Sequence, residues 1–541
     1  MRWIRTISAE TGEGADTIGG KARGLVLLHR LGLRVPAAFV VTTDACRAFL
    51  SEGRLPDGLR AELATAVAGL ERSTGRAFGG SRKPLAVSVR SGARVSMPGM
   101  MNTILNLGLT TGATAGLAVE TGDGAFARNS RLRFLSSFAA AVPDVDMDTD
   151  VDVDVDMDTA AYVNPAVGLV REHGGRPVPD DAARQLEWAV EAVFSSWDTP
   201  RARTYRALND IPHDLGTAVI VQAMVFGNRD GHSGTGVAFS RDPNTGEKVP
   251  YGEVLFGHQG EDLVAGRTTS RPLRELAERE PAVWRELFDA LGRIEGHHRD
   301  ACYVEFTFDS GVLWLLQVRP GRFVGGAAVR VATELVDEQV IGRDEALLRI
   351  SPQHLPHVRT PRIAASGEVD ILARGIGACP GAAVGRVATT PDGAVRMARD
   401  SPVILVRPET SPDDMHGLAA AAGIVTARGG PASHAAVVAR AMSKPAVVGV
   451  TGLTVDTDTD TDTGTGTGSV TVGGRTVGEG TLVTIDGTSG EVALGSPRVV
   501  TDAADEHLRR LLGWADDISG DHSEREESRR LEAARAALLR R

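Results

Sequence analysis

The sequence predicts a multidomain protein of α/β and α+β class, and three observations carry that prediction. Its 541 residues exceed what one hydrophobic core organises, since domains run to roughly 150 residues. Apolar residues make up 42% of the chain, enough for a core in each domain and too many for a disordered or fibrous protein. Short β-branched runs alternate with segments of helical periodicity, the pattern of sheets covered by helices.

In chain order, "AAFVVTT" (37–43), "LAVSVR" (85–90), "TAVIVQAMV" (217–225) and "VLWLLQVR" (312–319) read as strands, while 184–196 and 281–296 carry helical spacing. Residues 1–325 form the first predicted region. Residues 326–372 read as a polar, helical linker. A second unit over 373–500 holds the strand-like runs "GAAVGRVATT" (381–390), "PVILVRPET" (402–410), "AAGIVTARGG" (421–430) and "GTLVTIDGTSGEVALG" (480–495), joined by Gly-rich turns. Residues 501–541 read as a charged helical tail, with no strand-bearing domain expected after Gly495.

Lys plus Arg number 59 and Asp plus Glu 70, a net charge of −11. The charge is unevenly placed. Eight Asp alternate with other residues from Asp144 to Asp158 and four from Asp456 to Asp462, and setting those twelve aside moves the net charge from −11 to +1. With no cationic excess, no nucleic-acid partner is expected. The DxDxD spacing presents carboxylates as a calcium loop does, yet lacks the Gly and Glu of an EF-hand. Dipeptide repeats inside surface loops account for both segments. Cys46, Cys302 and Cys379 are far apart, with no metal or disulfide framework implied. The amino terminus lacks a signal-peptide core, and no run approaches the roughly 20 apolar residues of a membrane span. A soluble, cytoplasmic protein without a membrane partner is expected.

Several segments carry potential chemistry. Gly19, Gly20 and Lys21 invite a phosphate-loop reading, but Ala15 and Ala22 stand where such a loop needs Gly and Ser or Thr. In "SVRSGARVSMPGMMNTILNLGL" (88–109), Arg90 and Arg94 lead from a strand into a Gly/Ser/Met loop. Arg forks grip phosphate bidentately, although arginine pairs also occur on ordinary surfaces. "YVEFTFDSGVLWLLQVRPGR" (303–322) places Glu305, Gln317 and Arg319 on two antiparallel strands, where a carboxylate and an amide suit Mg²⁺ and a nucleotide. A half-buried hairpin with polar edges has the same pattern.

The sharpest element is "TARGGPASHAAVVARAMSKPAVVG" (426–449). A strand meets a Gly-Gly turn, Ser433 stands at the N-cap, and a helix starts at His434. The helix dipole disfavours imidazolium there. Free N–H groups would receive a phosphate carried by the ring, so the position suits a neutral, nucleophilic imidazole.

Together these segments resemble the pyruvate phosphate dikinase family, relatives of phosphoenolpyruvate synthase. "GGKARGL", "SVRSGARVSMPGMMNTILNLGL", "SGTGVAFSRDPNTGEK", "QGEDLVAG", "LLQVRPGR", "ACPGAAVG", "ETSPDDM" and "GGPASHAAVVARAMSKPAVVG" occur in the family's order across residues 15–500. "SHAAVVAR" is more similar to the dikinase than to the synthase. The resemblance implies an ATP-grasp-like nucleotide-binding region over 1–325 followed by a swivelling phosphohistidine β/α domain over 373–500. It implies that His434 is the phosphocarrier, that Lys21, Arg90, Glu305, Gln317 and Arg319 bind ATP, and that Glu305 and Gln317 hold Mg²⁺. ATP, phosphate and pyruvate or phosphoenolpyruvate are the expected small-molecule partners, and a homodimer is left open.

The chain also departs from the family. Tyr303 and Asn102 stand where Asp is usual, and Pro431 and Ala432 replace Met-Thr, removing the threonine that plant members phosphorylate. "LLGWAD" (511–516) is similar to the family's entry into a pyruvate-binding barrel, and the chain ends 25 residues later. The expectation is therefore the ATP half-reaction, with pyruvate on a separate barrel protein or another acceptor in its place. Two further readings stay open: a non-catalytic nucleotide-binding or regulatory protein, consistent with Tyr303, and a phosphotransferase acting on a different small molecule. Within the latter, the rifampin type is disfavoured, because residues 326–375 are too few to hold its acceptor domain.

Deleting 144–158 and 456–468 is expected to change stability by no more than about 1 kcal/mol, because lengthening a loop costs little per residue. Chemical denaturation of the full chain and the deletion checks this. A calcium-dependent rise in melting temperature confined to the full chain would identify the repeats as metal sites instead.

Overall fold

The computed structural model describes residues 3–540 apart from 96, 98–99, 143–144, 147–175, 265–269, 322, 324, 353–354, 356–357, 365–368, 432, 458–467 and 502–505. Most of both Asp repeats therefore lies outside the described residues. The protein is a mixed α/β chain in two compact units, one of Met1–Ser233 with Thr307–Val318, the other of Gly234–Phe306 with Arg319–Arg541. This differs from the expected division after residue 325. The chain first passes from one unit to the other at Gly234.

In the first unit, β1 (Ile4–Thr6), β2 (Ala38–Val41), β3 (Val87–Gly92), β4 (Thr103–Leu107) and β5 (Ala218–Ala223) form a sheet in the order β1-β2-β5-β3-β4. Every neighbouring pair is antiparallel. β2 and β5 are buried along their whole length, as central strands covered on both faces must be. α1 (Ala15–Arg30), α2 (Gly124–Ala141) and α3 (Ala182–Ser195) accompany the sheet. Val87, Val89, Ile104 and Val221 pack with Phe134 and Phe138 of α2 and Val190 and Phe194 of α3, each buried side chain worth about 1.5–3 kcal/mol. Asp123 and Asp181 cap α2 and α3 by accepting from the backbone N–H groups of Phe126 and Arg184.

In the second unit, β6 (Gly234–Phe239), β7 (Tyr251–Phe256), β8 (Arg271–Pro272) and β9 (Cys302–Asp309) lead to β10 (Val312–Pro320), in the sheet order β8-β7-β6-β9-β10. β9 and β10 turn at Ser310 and Gly311, both with positive φ, 51° and 76°, the conformation that a tight hairpin requires. The tip of this hairpin, Thr307–Val318, belongs to the first unit.

A larger mixed sheet follows. Its strands are β11 (Ile371–Arg374), β12 (Ile376–Cys379), β13 (Ala382–Ala388), β14 (Val403–Arg407), β15 (Gly423–Thr426), β16 (Ala446–Val448), β17 (Leu482–Asp486) and β18 (Glu491–Leu494). They run in the order β11-β18-β17-β13-β14-β15-β16-β12, with β13 to β16 parallel. The second Asp repeat runs between Thr454–Asp456 and Ser469–Val472, which pair antiparallel.

The helices of this unit include α4 (Pro281–His298), α5 (Gly325–Asp337), α6 (Arg343–Arg349), α7 (His434–Ala441), α8 (Glu506–Ser519) and α9 (Glu527–Leu538). The structure differs from the expectation of a free linker and a separate tail. Val329, Leu335 and Leu347 of α5 and α6 share one core with Leu508, Leu511, Leu512 and Trp514 of α8 and Leu531 of α9. Each helix is polar on its outer face, and the apolar stripes at three- and four-residue spacing find one another. A strand also follows Gly495, since Val499–Thr501 pairs with Pro361–Ile363.

Arg241 joins the parts of this unit. Its side chain is fully buried and reaches Glu295 of α4 at 2.8 Å, Glu334 of α5 at 3.0 Å and Glu338, just after α5, at 2.9 Å. Ser240 donates to the same Glu295 at 2.5 Å. Replacing Arg241 by Leu is expected to cost about 3 kcal/mol, because it leaves the buried Glu295 carboxylate without a cation, while Glu334 and Glu338 keep Arg330 and Lys248. Chemical denaturation measures this, and a loss under about 1 kcal/mol would show that the cluster is not holding the elements together.

Candidate functional site

β15 lies between parallel neighbours, and α7 follows it after a short loop. His434 is thus the first residue of a helix, at the carboxyl end of a parallel strand, the place where open α/β sheets present their chemistry. Ser433 is the N-cap and accepts from the Ala436 N–H at 3.4 Å. The His434 ring is half-buried. Its Nδ1 lies 3.0 Å from Thr410 Oγ1, and its Nε2 is buried without a hydrogen-bond partner among the described residues. When Nδ1 carries the proton and donates it to Thr410, the lone pair of Nε2 is left for attack.

Burial pushes the imidazole below its ordinary value, and Asp414 opposes that shift. The larger cause is therefore desolvation, where the sequence had pointed to the helix dipole. Asp414 is itself held, accepting from the Ser411 N–H at 2.6 Å and lying 3.5 Å from Arg407. Before the helix, the Gly429–Gly430 turn presses against β7. A Cβ on Gly430 would lie 1.8 Å from Glu253 Oε2, so any side chain here would have to displace that carboxylate. Glu253 is only 2% exposed.

The nucleotide-side candidates are distributed over both units. In the first, α1 breaks at Gly19, where φ is 78° and ψ 162°. A Cβ there would lie 1.5 Å from the Gly92 carbonyl oxygen. The Gly20 N–H donates to the Ala93 carbonyl at 3.0 Å. The Gly-Gly-Lys turn is therefore pressed onto the end of β3, the strand that carries Arg90, and Lys21 is half-buried beside it. Arg90 donates through Nη2 to Gln222 Oε1 at 2.5 Å and to the Leu316 carbonyl at 3.4 Å. Leu316 precedes Gln317, which is 1% exposed, so Lys21, Arg90 and Gln317 gather around β3.

In the second unit, Glu305 and Arg319 face each other across the hairpin at 3.9 Å. Tyr303 packs on Phe239 with ring centroids 4.9 Å apart. Burial pushes its phenol well above 10, so it brings no negative charge to a cation. Asn102 donates to the Ala141 carbonyl at 3.0 Å and accepts from Arg201 at 3.3 Å, a bridge within the fold. Arg94 is exposed, 2.7 Å from Asp16, and Ala432 lies outside the described residues.

No group of three or more His, Cys, Asp or Glu able to hold a metal ion occurs among the described residues. Glu305 offers a carboxylate and Gln317 an amide oxygen, each a donor type that Mg²⁺ accepts. A cavity of about 960 Å³ is lined by Phe39, Leu70, Leu85 and Phe226 together with Arg72, Arg76 and Asp309, and touches none of these candidates.

Reasoning from sequence missed Thr410 and Gln222. The first sits in "ETSPDDM", a segment noticed for its likeness and not for its chemistry. The second sits in a strand run where a lone amide among apolar residues was the only signal.

Comparison with known proteins matches residues 15–74 and 51–283 to the family described as "Pyruvate phosphate dikinase, AMP/ATP-binding domain". Residues 399–490 match "PEP-utilising enzyme, mobile domain". The chain is 39% identical to the pyruvate, phosphate dikinase of Rhizobium meliloti over 95% of its own length and 60% of the relative's. It is 41% identical to pyruvate, phosphate dikinase 2 of Zea mays, over 93% and 58%. It is 39% identical to the pyruvate, phosphate dikinase of Clostridium symbiosum, over 95% and 60%. The chain thus spans 58–60% of the length of these relatives. No helix among the described residues is long and apolar enough to cross a membrane.

The His434 ring should titrate below 6.5, its ordinary value, because burial disfavours the charged form. The folded chain then binds fewer protons than the unfolded one, so this contribution to stability is complete above pH 6.5 and is lost as pH falls through the folded value. NMR titration of the ring checks it, and a midpoint at or above the ordinary value would contradict the buried geometry.

Proposed function

We propose, from the premise that this chain belongs to the pyruvate, phosphate dikinase family, that it carries phosphate from ATP on His434. The observation that carries the reading is the buried, unpartnered Nε2 at the start of α7, with Nδ1 held at Thr410. Nε2 attacks the β-phosphorus as the bond from that phosphorus to the α,β-bridging oxygen breaks, and AMP leaves with the bridging oxygen. Inorganic phosphate then takes the γ-phosphoryl group and leaves as pyrophosphate, and phosphohistidine remains.

Lys21 and Arg90 neutralise charge on the nucleotide phosphates, in an ATP-grasp-like region. Glu305 and Gln317 hold Mg²⁺, which supplies further charge neutralisation when bound, and Arg319 orients Glu305. Pyruvate is the proposed acceptor, bound by a barrel domain that is separate from these 541 residues. On this reading the chain performs the ATP half-reaction by itself. One observation favours a regulatory, non-catalytic reading. Tyr303 puts a neutral phenol beside Glu305, where a second carboxylate would have strengthened metal binding.

With Mg²⁺ and ATP labelled at the β-phosphorus, the protein should acquire acid-labile, base-stable label, and His434→Ala should abolish it. Arg90→Ala and Glu305→Ala should each slow labelling by about 100-fold, near 3 kcal/mol of lost electrostatic stabilisation. Equal labelling of His434→Ala would remove the carrier assignment. Unchanged rates in both other variants would favour the regulatory reading.

A further inference from the structure

Three contacts within the second unit join the sheet of β6, β7 and β9 to the sheet that carries the histidine. The Gly430 backbone lies against the Glu253 carboxylate. Asn244 Nδ2 donates to the Gly377 carbonyl at 3.2 Å. The third is made by Arg440, on α7 six residues after His434. Its Nη1 donates to the Ala378 carbonyl at 3.0 Å and its Nη2 to the Pro431 carbonyl at 2.5 Å. Its Cζ lies 5.6 Å from the centroid of the Phe239 ring, which is itself packed on Tyr303.

We propose that Arg440 is a positioning residue, which seats the histidine helix on the Phe239–Tyr303 face of the β6–β9 strand pair and fixes the loop leading into His434. The proposal rests on the reading of His434 as the phosphocarrier, and names what holds that residue on the nucleotide side. A guanidinium can donate in its plane while an aromatic ring lies against its face. Arg440 uses both properties at once. The in-plane donors tie it to Pro431, three residues before His434, and to Ala378 on β12. The face is spent on Phe239, across the junction. Gly430, one residue earlier, is pinned from the other side by Glu253, so the His434 loop is held between two fixed points.

The chemistry of the seat suits a helix that must leave again. Among the described residues Arg440 makes no ion pair, its cross-junction partner being an aromatic face. A carboxylate at position 303 would turn the contact into a partly desolvated charge pair, which is costly to break. Tyr303 continues the aromatic surface and leaves the charge free to depart. Glu253 nevertheless favours the charged state that burial opposes.

The test uses the full chain with two phosphoryl donors, Mg-ATP and potassium phosphoramidate, a small molecule that needs no seat. Arg440→Lys keeps the charge and loses the fork. It should lower labelling of His434 from Mg-ATP at least 10-fold while leaving labelling by phosphoramidate within twofold of wild type. Backbone hydrogen exchange should rise in residues 234–239 and 302–306, and Arg440→Ala should reproduce all three effects. Wild-type labelling from Mg-ATP in both variants, or an equal loss with both donors, would overturn the proposal. Should the unmodified chain take no label from Mg-ATP, the carrier reading falls, and the seat is judged by exchange alone: unchanged exchange in the variants overturns it and raised exchange supports it.

Discussion

Arg241 is the constraint on which the second unit depends. A guanidinium is one of the few groups that answers several carboxylates at once, because its donors point in different directions of one plane. Here it stands just past β6 and meets Glu295 on α4, Glu334 on α5 and Glu338 just after α5. Through α5 it fixes the helical core of α6, α8 and α9, and through β6 it fixes the strand that carries Phe239. The elements that face the histidine helix therefore inherit their position from a charge cluster that begins two residues after β6 and reaches α4 and α5.

The chemistry is divided between what burial does and what hydrogen bonds do. Burial lowers the His434 imidazole and so favours its neutral form, and Thr410 lies 3.0 Å from Nδ1, which on the proposed reading leaves Nε2 as the nucleophile. Neither suffices alone, since a neutral imidazole with its proton on the wrong nitrogen cannot attack. The arginine proposed to meet phosphate is also held by its own neighbours in the fold. Arg90 has its fork directed by Gln222 and the Leu316 carbonyl, which reduces the ordering cost of binding.

Much of the fold could be read from local pattern. The β9–β10 hairpin was visible in alternating β-branched residues, and the Ser433 cap in a single hydroxyl between Gly-Gly and a helical run. What escaped depends on partners distant in sequence. Residues 326–349 and 506–538 each look polar in isolation, and the shared core appears only when their apolar stripes are set together. Thr410 and His434 are 24 positions apart, and Arg90 and Gln222 are 132 apart, beyond the reach of any periodicity argument. Gly430 was noticed as part of a turn, while its reason, the nearness of Glu253, belongs to another strand.

The strands flanking the second Asp repeat pair directly, Asp456 opposite Ser469. The segment between them therefore leaves and re-enters the fold at points about 5 Å apart, one strand spacing, and has no distance to span. Such a segment can lengthen or shorten without disturbing any register. What it adds is charge: the twelve Asp of the two repeats account for a net −11 that would otherwise be +1. A protein close to electrical neutrality tends to self-associate. The repeats thus set the sign of the chain's net charge and move it away from neutrality, by an amount that scales with their copy number.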